Sequence, residues 1–495
     1  MAASGDSSVA APPGRPLKVV VIGAGMSGIL SAIKLAEAGI DDIVLYERAD
    51  RPGGTWRDNT YPGLSCDVPS HLYRFSFEPN PDWGHRFSPG HEIQAYLERV
   101  AEKYGVRRRI RLNREVTAAH WRDGRWRLEI SDGSRDQADI VIAATGVLRD
   151  PVMPAIDGLE SFAGAAFHSA RWDHGVALAG QRVGIIGTGS TAIQIVPAIV
   201  STVATLTLFQ RTAQWILPVA NPPIDPAEQA RFRRAPAQMA ALYDDLTRRW
   251  QDTFARAVVG DADEMKKIAD ACRANLEEAV HDPALRRRLR PDYQVACKRL
   301  IMSDSFYPAI QRPNAELVTD DILRIEPAGV VTRDGRRHDL DVLVLATGFD
   351  AHKFMQPMEL VGRDGLTLSE AWADAVAAHR AVALPGFPNF FMLAGPNSPI
   401  GNFSLIMISE LQLGYVMQLI AELRHGRAHA IAPRADATAR FNAEIKAAMP
   451  NTVWVTGCRS WYLDKNGDPA MWPWTFEKFR ADMARPDLGE YDLMA

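Results

Sequence analysis

Apolar residues fall in short blocks along this chain, and two of the blocks are followed by a glycine-rich step and then by apolar positions at helical spacing. The first block is Lys18 to Ile22, GAGMSG is the step, and Ile29 to Ala38 carries the three- and four-residue period of an amphipathic helix before Gly39. Ile43 to Tyr46 reads as a second strand ending at Glu47, which completes a βαβ unit. The order recurs from Arg182: VGIIG as a strand, TGSTA as a turn, Ile193 to Val200 as a helix and Thr205 to Phe209 as a strand. Between the two units, Arg111 to Ile130 alternates in short strands around a turn at Asp123 to Arg125. It ends in the run DIVIAATG, predicting a β-meander that returns to the main sheet.

From Pro222 to about Pro291 the residues are Ala, Arg, Glu and Leu at helical spacing, with charge on the intervening positions, and a helical insertion is predicted there. The run LDVLVLATGF, ending at Phe349, has the same flavour as IVIAATG, so the chain is expected to cross back to its first domain at that point. Asn389 to Gly395 reads as one more buried strand. A loop with Asn397 and Asn402 leads into a helix from about Ser404 to Arg424, closed by Gly426.

The expected fold is therefore α/β, with two Rossmann-like dinucleotide-binding domains and a helical insertion. In residues this gives a flexible tail over 1–16, a first domain over 17–150 returning at 343–450, and a second over 151–220 and 296–342. The insertion spans 221–295, and 451–495 is an aromatic C-terminal segment near the substrate, with Trp454, Trp461, Tyr462, Trp472 and Trp474.

A net charge of −4 over 495 residues gives no global basic signature for nucleic acid. The N-terminal run has no apolar core of signal-peptide length. Val183 to Gln210 is free of charge and longer than the roughly 20 residues a spanning helix needs. Pro197, the glycine-rich turn and scattered Ser, Thr and Gln instead favour a buried strand, helix and strand, so no membrane insertion is expected. Cys66, Cys272, Cys297 and Cys458 form no CxxC or similar pair, which weakens a zinc site or a dithiol redox centre and suits a reducing cytoplasm. His425 and His429 are four apart, but Gly426 marks a helix end between them, and no metal site is expected.

Gly23, Gly25 and Gly28 form GxGxxG directly after a strand, with Glu47 about twenty residues on, where a carboxylate can accept hydrogen bonds from ribose hydroxyls. Glycine permits the tight turn and the approach of a pyrophosphate to the helix N-terminus. The second turn, Gly187, Gly189 and Ala192, has the looser GxGxxA form. Its strand ends in Gln210, Arg211 and Thr212 with no acid, and a cation there suits a 2′-phosphate, so NADPH is favoured over NADH; an exposed loop arginine is the plain alternative.

Two longer patterns carry a resemblance. FxGxxxHxxxWD is complete at Phe162, Gly164, His168, Trp172 and Asp173, and GGxWxxxxYPGxxxD is met by Gly53, Gly54, Trp56, Tyr61, Pro62, Gly63 and Asp67. Together they resemble the signatures of type I Baeyer-Villiger monooxygenases, over nearly the whole chain. The resemblance implies FAD and NADPH as cofactors and a small-molecule ketone and O2 as reaction partners. It implies conversion of the ketone to an ester or lactone through a C4a-peroxyflavin and a tetrahedral intermediate.

By resemblance, Lys298 falls at the nicotinamide-phosphate lysine, Arg299 at the active-site arginine, and Asp67 at the acid beside it. The same resemblance places Gly54, Thr55, Trp56, Asp67, Val68, Tyr73 and Val116 on the FAD side. Thr188, Ser190, Thr191 and Thr212 join Gly187, Gly189 and Arg211 on the nicotinamide side. A guanidinium stays charged at any working pH and suits an oxyanion, so Arg299 and Asp67 are the expected catalytic pair. His168 is read as positional rather than as a base, and the connector around it as either a hinge or a seat of chemistry. The helical insertion and the segment around Trp461 and Tyr462 are expected to shape the substrate pocket. Sulfur or nitrogen oxygenation by the same flavin chemistry and a non-catalytic nucleotide sensor are the alternatives.

Overall fold

The computed structural model describes residues 15–495, so the expected tail lies outside the described residues up to residue 14. Five short strands form the first sheet, in the order Phe390–Met392, Ile140–Ala143, Val19–Ile22, Ile43–Tyr46 and Ile110–Arg111, all parallel. Val19–Ile22 is central and buried on both faces, which is why it reads as continuous Val and Ile rather than as an alternation. Helix Met26–Glu37 follows it directly. Val116–Arg122, Arg125–Ile130 and Arg135–Ala138 form the antiparallel meander, joined at its outer edge by Glu359–Val361. The meander is a sheet of its own that packs on the first through buried Trp126, whose indole donates to the Pro388 carbonyl at 2.8 Å.

The second sheet is also five-stranded and parallel, in the order Ala315–Val318, Thr205–Phe209, Arg182–Ile186, Val342–Leu345 and Ala165–His168. Val342–Leu345 thus lies inside the second sheet, and the return expected at 343 is corrected to the segment after Leu345. A buried parallel strand reads as the same apolar run whichever sheet it joins, so the likeness of VLVLATG to IVIAATG says nothing about address.

The insertion folds as helices Pro226–Arg234, Pro236–Trp250, Ala262–Ala279 and Pro283–Leu289. Three of them start on an aspartate whose carboxylate caps the first turn, at Asp225, Asp261 and Asp282. Val183 to Gln210 is a strand, a helix and a strand. Helix Leu405–Arg424 is long and apolar enough to cross a membrane. It packs instead on Met26–Glu37, where Ser27 Oγ meets Ser409 Oγ at 2.9 Å, and buries one face along its length through Leu413, Val416, Ile420 and Leu423.

Cys297 and Cys458 are joined by a disulfide across 161 residues, while Cys66 and Cys272 are free and buried. The absence of a CxxC or similar close pair therefore did not exclude a bond between distant cysteines. No local spacing signals a bond made by the tertiary fold.

Candidate active site

A cleft of about 1040 Å³ runs between the two sheets. Both glycine-rich turns, the loop from Gly53 to Val68, Lys298, Arg299, Phe403, Leu405, Ser460 and Trp461 line it. Of the residues expected at the cofactors, only Gly28 is not in the lining: Glu47, Gly54, Thr55, Trp56, Asp67, Val68, Tyr73, Val116, Thr188, Ser190, Thr191, Arg211 and Thr212 all face it.

Gly28 is a packing residue. A Cβ there would lie 2.0 Å from the Gly23 carbonyl oxygen, and one on Gly23, at φ +102°, would lie 2.6 Å from the Ala144 carbonyl. The helix therefore starts tight against the strand, with its first amides open to the cleft. Glu47 is almost fully buried and already engaged, accepting from the amides of Ala24 at 2.9 Å and Ala49 at 3.0 Å and pairing with Arg57 at 2.9 Å. It fixes the turn and borders the cleft at once.

The loop carrying the second signature ties the two halves together. Trp56 donates to the Tyr73 hydroxyl at 3.2 Å, and Tyr61 donates to Gln194 Oε1 at 2.9 Å on helix Ser190–Ile199 of the second unit. Gly63 has φ +82°, and its Cβ would lie 2.4 Å from the Gln194 carbonyl. Asp67 ends the loop, and Arg299 reaches it from the second half: Nε donates to Asp67 Oδ2 at 3.0 Å, and the terminal NH2 donates to the same oxygen. Burial works against the guanidinium's charge, but Asp67 and Tyr462 outweigh it and hold its pKa above the ordinary arginine value. Arg299 is thus a permanent cation in the cleft.

On the second turn, Gly187 has φ +115° and its Cβ would lie 2.3 Å from the Ala346 carbonyl, whereas one on Gly189 would meet nothing within 4 Å. Thr188 Oγ1 donates to the Thr212 carbonyl at 2.7 Å and fixes the turn to the strand end. Lys298 lies over the Tyr293 ring at 4.8 Å, and burial followed by the charge of Arg211 lowers its pKa. Neither cation makes an ion pair among the described residues, a juxtaposition that an incoming phosphate would neutralise.

The connector takes no part in the lining. Ala165–His168 is the edge strand of the second sheet, Phe162 is buried beneath it, and a Cβ on Gly164 would lie 2.2 Å from the Asp341 carbonyl. His168 Nδ1 accepts the Ala170 amide at 3.0 Å and caps a short turn, and burial lowers its pKa. Trp172 packs edge-on against Phe167 at 5.1 Å, and Asp173 accepts the Gly175 amide at 2.8 Å. All five fixed positions of the pattern shape a strand and its exit.

The helical insertion does not line the cleft either, contrary to expectation. It braces the lining from behind, the Trp250 indole donating to the Asn402 carbonyl at 2.5 Å next to Phe403. Sequence reasoning missed that Tyr462, with Asp67, helps hold the charge of Arg299; the dense aromatic run at the C-terminus pointed to the segment but not to this effect.

Residues 16–239 match the family model described as FMO-like, flavin-binding monooxygenase-like. The chain is 50% identical to a Mycobacterium tuberculosis protein named as an uncharacterized monooxygenase, over 97% of each. It is 42% identical to a Streptomyces coelicolor protein named Baeyer-Villiger monooxygenase, over 97% of this chain and 93% of that one. The solved structure of an oxidized steroid monooxygenase bound to NADP aligns with a TM-score of 0.87 at 30% identity, over 97% of this chain and 100% of that chain.

Proposed function

The chain belongs to the Baeyer-Villiger monooxygenases of the flavin-binding monooxygenase-like family, and from that premise we propose that Arg299 and Asp67 are the residues that serve the reacting atoms. The protein is an FAD-containing, NADPH-dependent monooxygenase that converts ketones to esters or lactones. FAD held in this cleft would supply the redox chemistry, drawing hydride from NADPH and one oxygen atom from O2.

The chain's residues fit both cofactors. The open first turn and the tight Gly23–Gly28 contact suit the FAD pyrophosphate, and the unpaired Lys298 and Arg211 suit the 2′-phosphate of NADPH. The observation that carries the reading is the Arg299–Asp67 pair, where the two halves of the cleft meet. A guanidinium fixed there neutralises the negative charge that grows on the ketone oxygen during insertion, with no proton uptake and no reorganisation of water. Asp67 orients it, and Phe403, Leu405 and Trp461 wall the site with apolar surface that keeps water out.

Arg299→Ala tests this. NADPH should still bleach the flavin, while ester formation falls by about 100-fold or more, the scale of losing an oxyanion donor. Ester production at the wild-type rate, read by mass spectrometry under labelled O2, would remove Arg299 from this role.

A further inference from the structure

One loop of the first unit is built into the core of the second. Tyr61 is 7% exposed and packs in the apolar cluster of the second sheet with Val183, Ile193 and Val196, and Leu64 lies against the same cluster. Burial therefore presses this turn onto the helix Ser190–Ile199, and the phenol hydroxyl carried in with the ring needs a partner.

Gln194, on that helix, is the partner, and it grips the loop at a second point. Its Oε1 accepts from the Tyr61 hydroxyl at 2.9 Å, while its Nε2 donates to the Ser65 carbonyl at 3.0 Å and to Ser65 Oγ at 3.3 Å. A backbone carbonyl can only accept, so the Ser65 contact sets which way the amide is turned and leaves Oε1 to the tyrosine. Gln194 borders the cleft, yet both polar ends of its amide are engaged by the loop. The fit is close in shape as well: Gly63, between the two gripped residues, has φ +82°, and a Cβ on it would lie 2.4 Å from the Gln194 carbonyl oxygen and 3.0 Å from Ala198 Cβ. Ser65 is also bridged to Pro89, where the helix Gly90–Lys103 of the first unit begins. Asp67 follows two residues later, so the acid that meets Arg299 leaves a point of the loop held from both halves. The contact of Thr60 Oγ1 with His174 Nε2, at 2.8 Å, also joins the loop to the second half, but it is open to water and further from Asp67 along the chain.

We propose that Gln194 is a positioning residue for Asp67: its amide clamps the span from Tyr61 to Ser65 onto the helix of the second unit and so fixes where Asp67 meets Arg299. The clamp stands on its own contacts. Its consequence for turnover rests on the role given above to Asp67 and Arg299.

The test uses the full-length, FAD-loaded protein with Tyr61→Phe, Gln194→Met and the two combined. Each single change keeps the packed bulk and deletes polar partners only. Two quantities are read: hydrogen exchange in the peptide covering residues 60–67, by mass spectrometry, and the ester recovered per NADPH consumed, together with the KM for ketone. Exchange should accelerate about tenfold in Gln194→Met and about threefold in Tyr61→Phe, the scale of losing the whole clamp or one of its hydrogen bonds. Ester per NADPH should fall in the same order at an unchanged KM for ketone, because Gln194 acts through Asp67 and not on the ketone. The combined variant should be no worse than Gln194→Met, since the two residues share one contact, whereas separate roles would multiply.

Wild-type exchange over residues 60–67 in Gln194→Met would overturn the inference, as would effects that multiply in the combined variant. If Gln194→Met does not fold or does not hold FAD, Tyr61→Phe decides alone, and wild-type exchange there overturns the clamp. Faster exchange with an unchanged ester yield overturns the link to Asp67 when Arg299→Ala has itself lost the ester. Undiminished ester from Arg299→Ala is the separate failure of the Arg299 role, and the clamp is then judged on exchange alone.

Discussion

Lys298 and Arg211 face one cleft, and burial followed by the charge of Arg211 makes the Lys298 charge harder to hold until an anion arrives. Arg211→Ala should therefore raise the KM for NADPH by about tenfold or more, on the scale of one charge-assisted hydrogen bond, and leave the KM for NADH nearly unchanged. Equal effects on both nucleotides in steady-state assays would place the 2′-phosphate elsewhere. Outside the cleft, His71 is buried against Phe232 with both ring nitrogens unpartnered. Burial first, then Arg74, lowers its pKa from 6.5 to about 4. The unfolded chain takes up this proton near pH 6.5 and the folded chain only near pH 4, so stability falls as pH drops through that window, by on the order of 3 kcal/mol in total. His71→Leu should flatten that part of a Tm-against-pH curve, and an unchanged slope would show that other groups set it. Among single residues, Asp67 and Arg299 were legible in the sequence only through the family signatures, since an isolated acid and a Lys-Arg pair are ordinary surface features. The effect of Tyr462 on the charge of Arg299 was not, because the two lie in different segments and no motif links them.

At the scale of elements, the glycines of the two turns do different work, and substitution separates them. Gly28→Ala sets a methyl 2.0 Å from a backbone oxygen, so the helix and strand must part; the expected outcome is a lower Tm together with loss of FAD, read from the flavin-to-protein absorbance ratio. Gly189→Ala meets nothing in the protein, so Tm should hold while NADPH affinity falls, because the added methyl projects into the open cleft. Retained FAD in Gly28→Ala would show that the turn can relax. Both βαβ units were readable because strand, glycine turn and helix each leave their own period, and the structure begins their helices at Met26 and Ser190, each just after the second glycine of its turn. Val342–Leu345 was assigned to the wrong sheet because apolarity records burial and not the neighbouring strand. The connector shows the same limit. Its five fixed residues suit a capped edge strand pressed close to Asp341, a requirement of shape that sequence alone could not tell from a requirement of chemistry.

Across the whole molecule, the cleft exists because three separate stretches of chain are brought to one place. The loop from Gly53 to Val68 reaches the second half through Tyr61 and Asp67, the segment at Lys298 and Arg299 comes back to meet it, and the C-terminal aromatic segment closes against both and is tied down by the disulfide. Contacts of this range have no signature in local periodicity, which is why the architecture was legible and the closing bond was not. The helical insertion braces this assembly from outside, with Trp250 holding the loop that carries Phe403.

The first sheet has one further property. Its edge strand is Phe390–Met392, and the helix that covers Met26–Glu37 runs from Leu405 to Arg424. A ribosome making this protein thus releases Val19–Ile22 early, yet one neighbour of Ile140–Ala143 is supplied only after the whole second sheet and the insertion have been made. During that interval the helix Met26–Glu37 has one apolar face uncovered and the strand Ile140–Ala143 has one edge unpaired, the state most exposed to aggregation and to chaperone capture. The order of synthesis and the order of folding are out of step, and the last part of the chain both closes the active site and completes the domain with which the chain began.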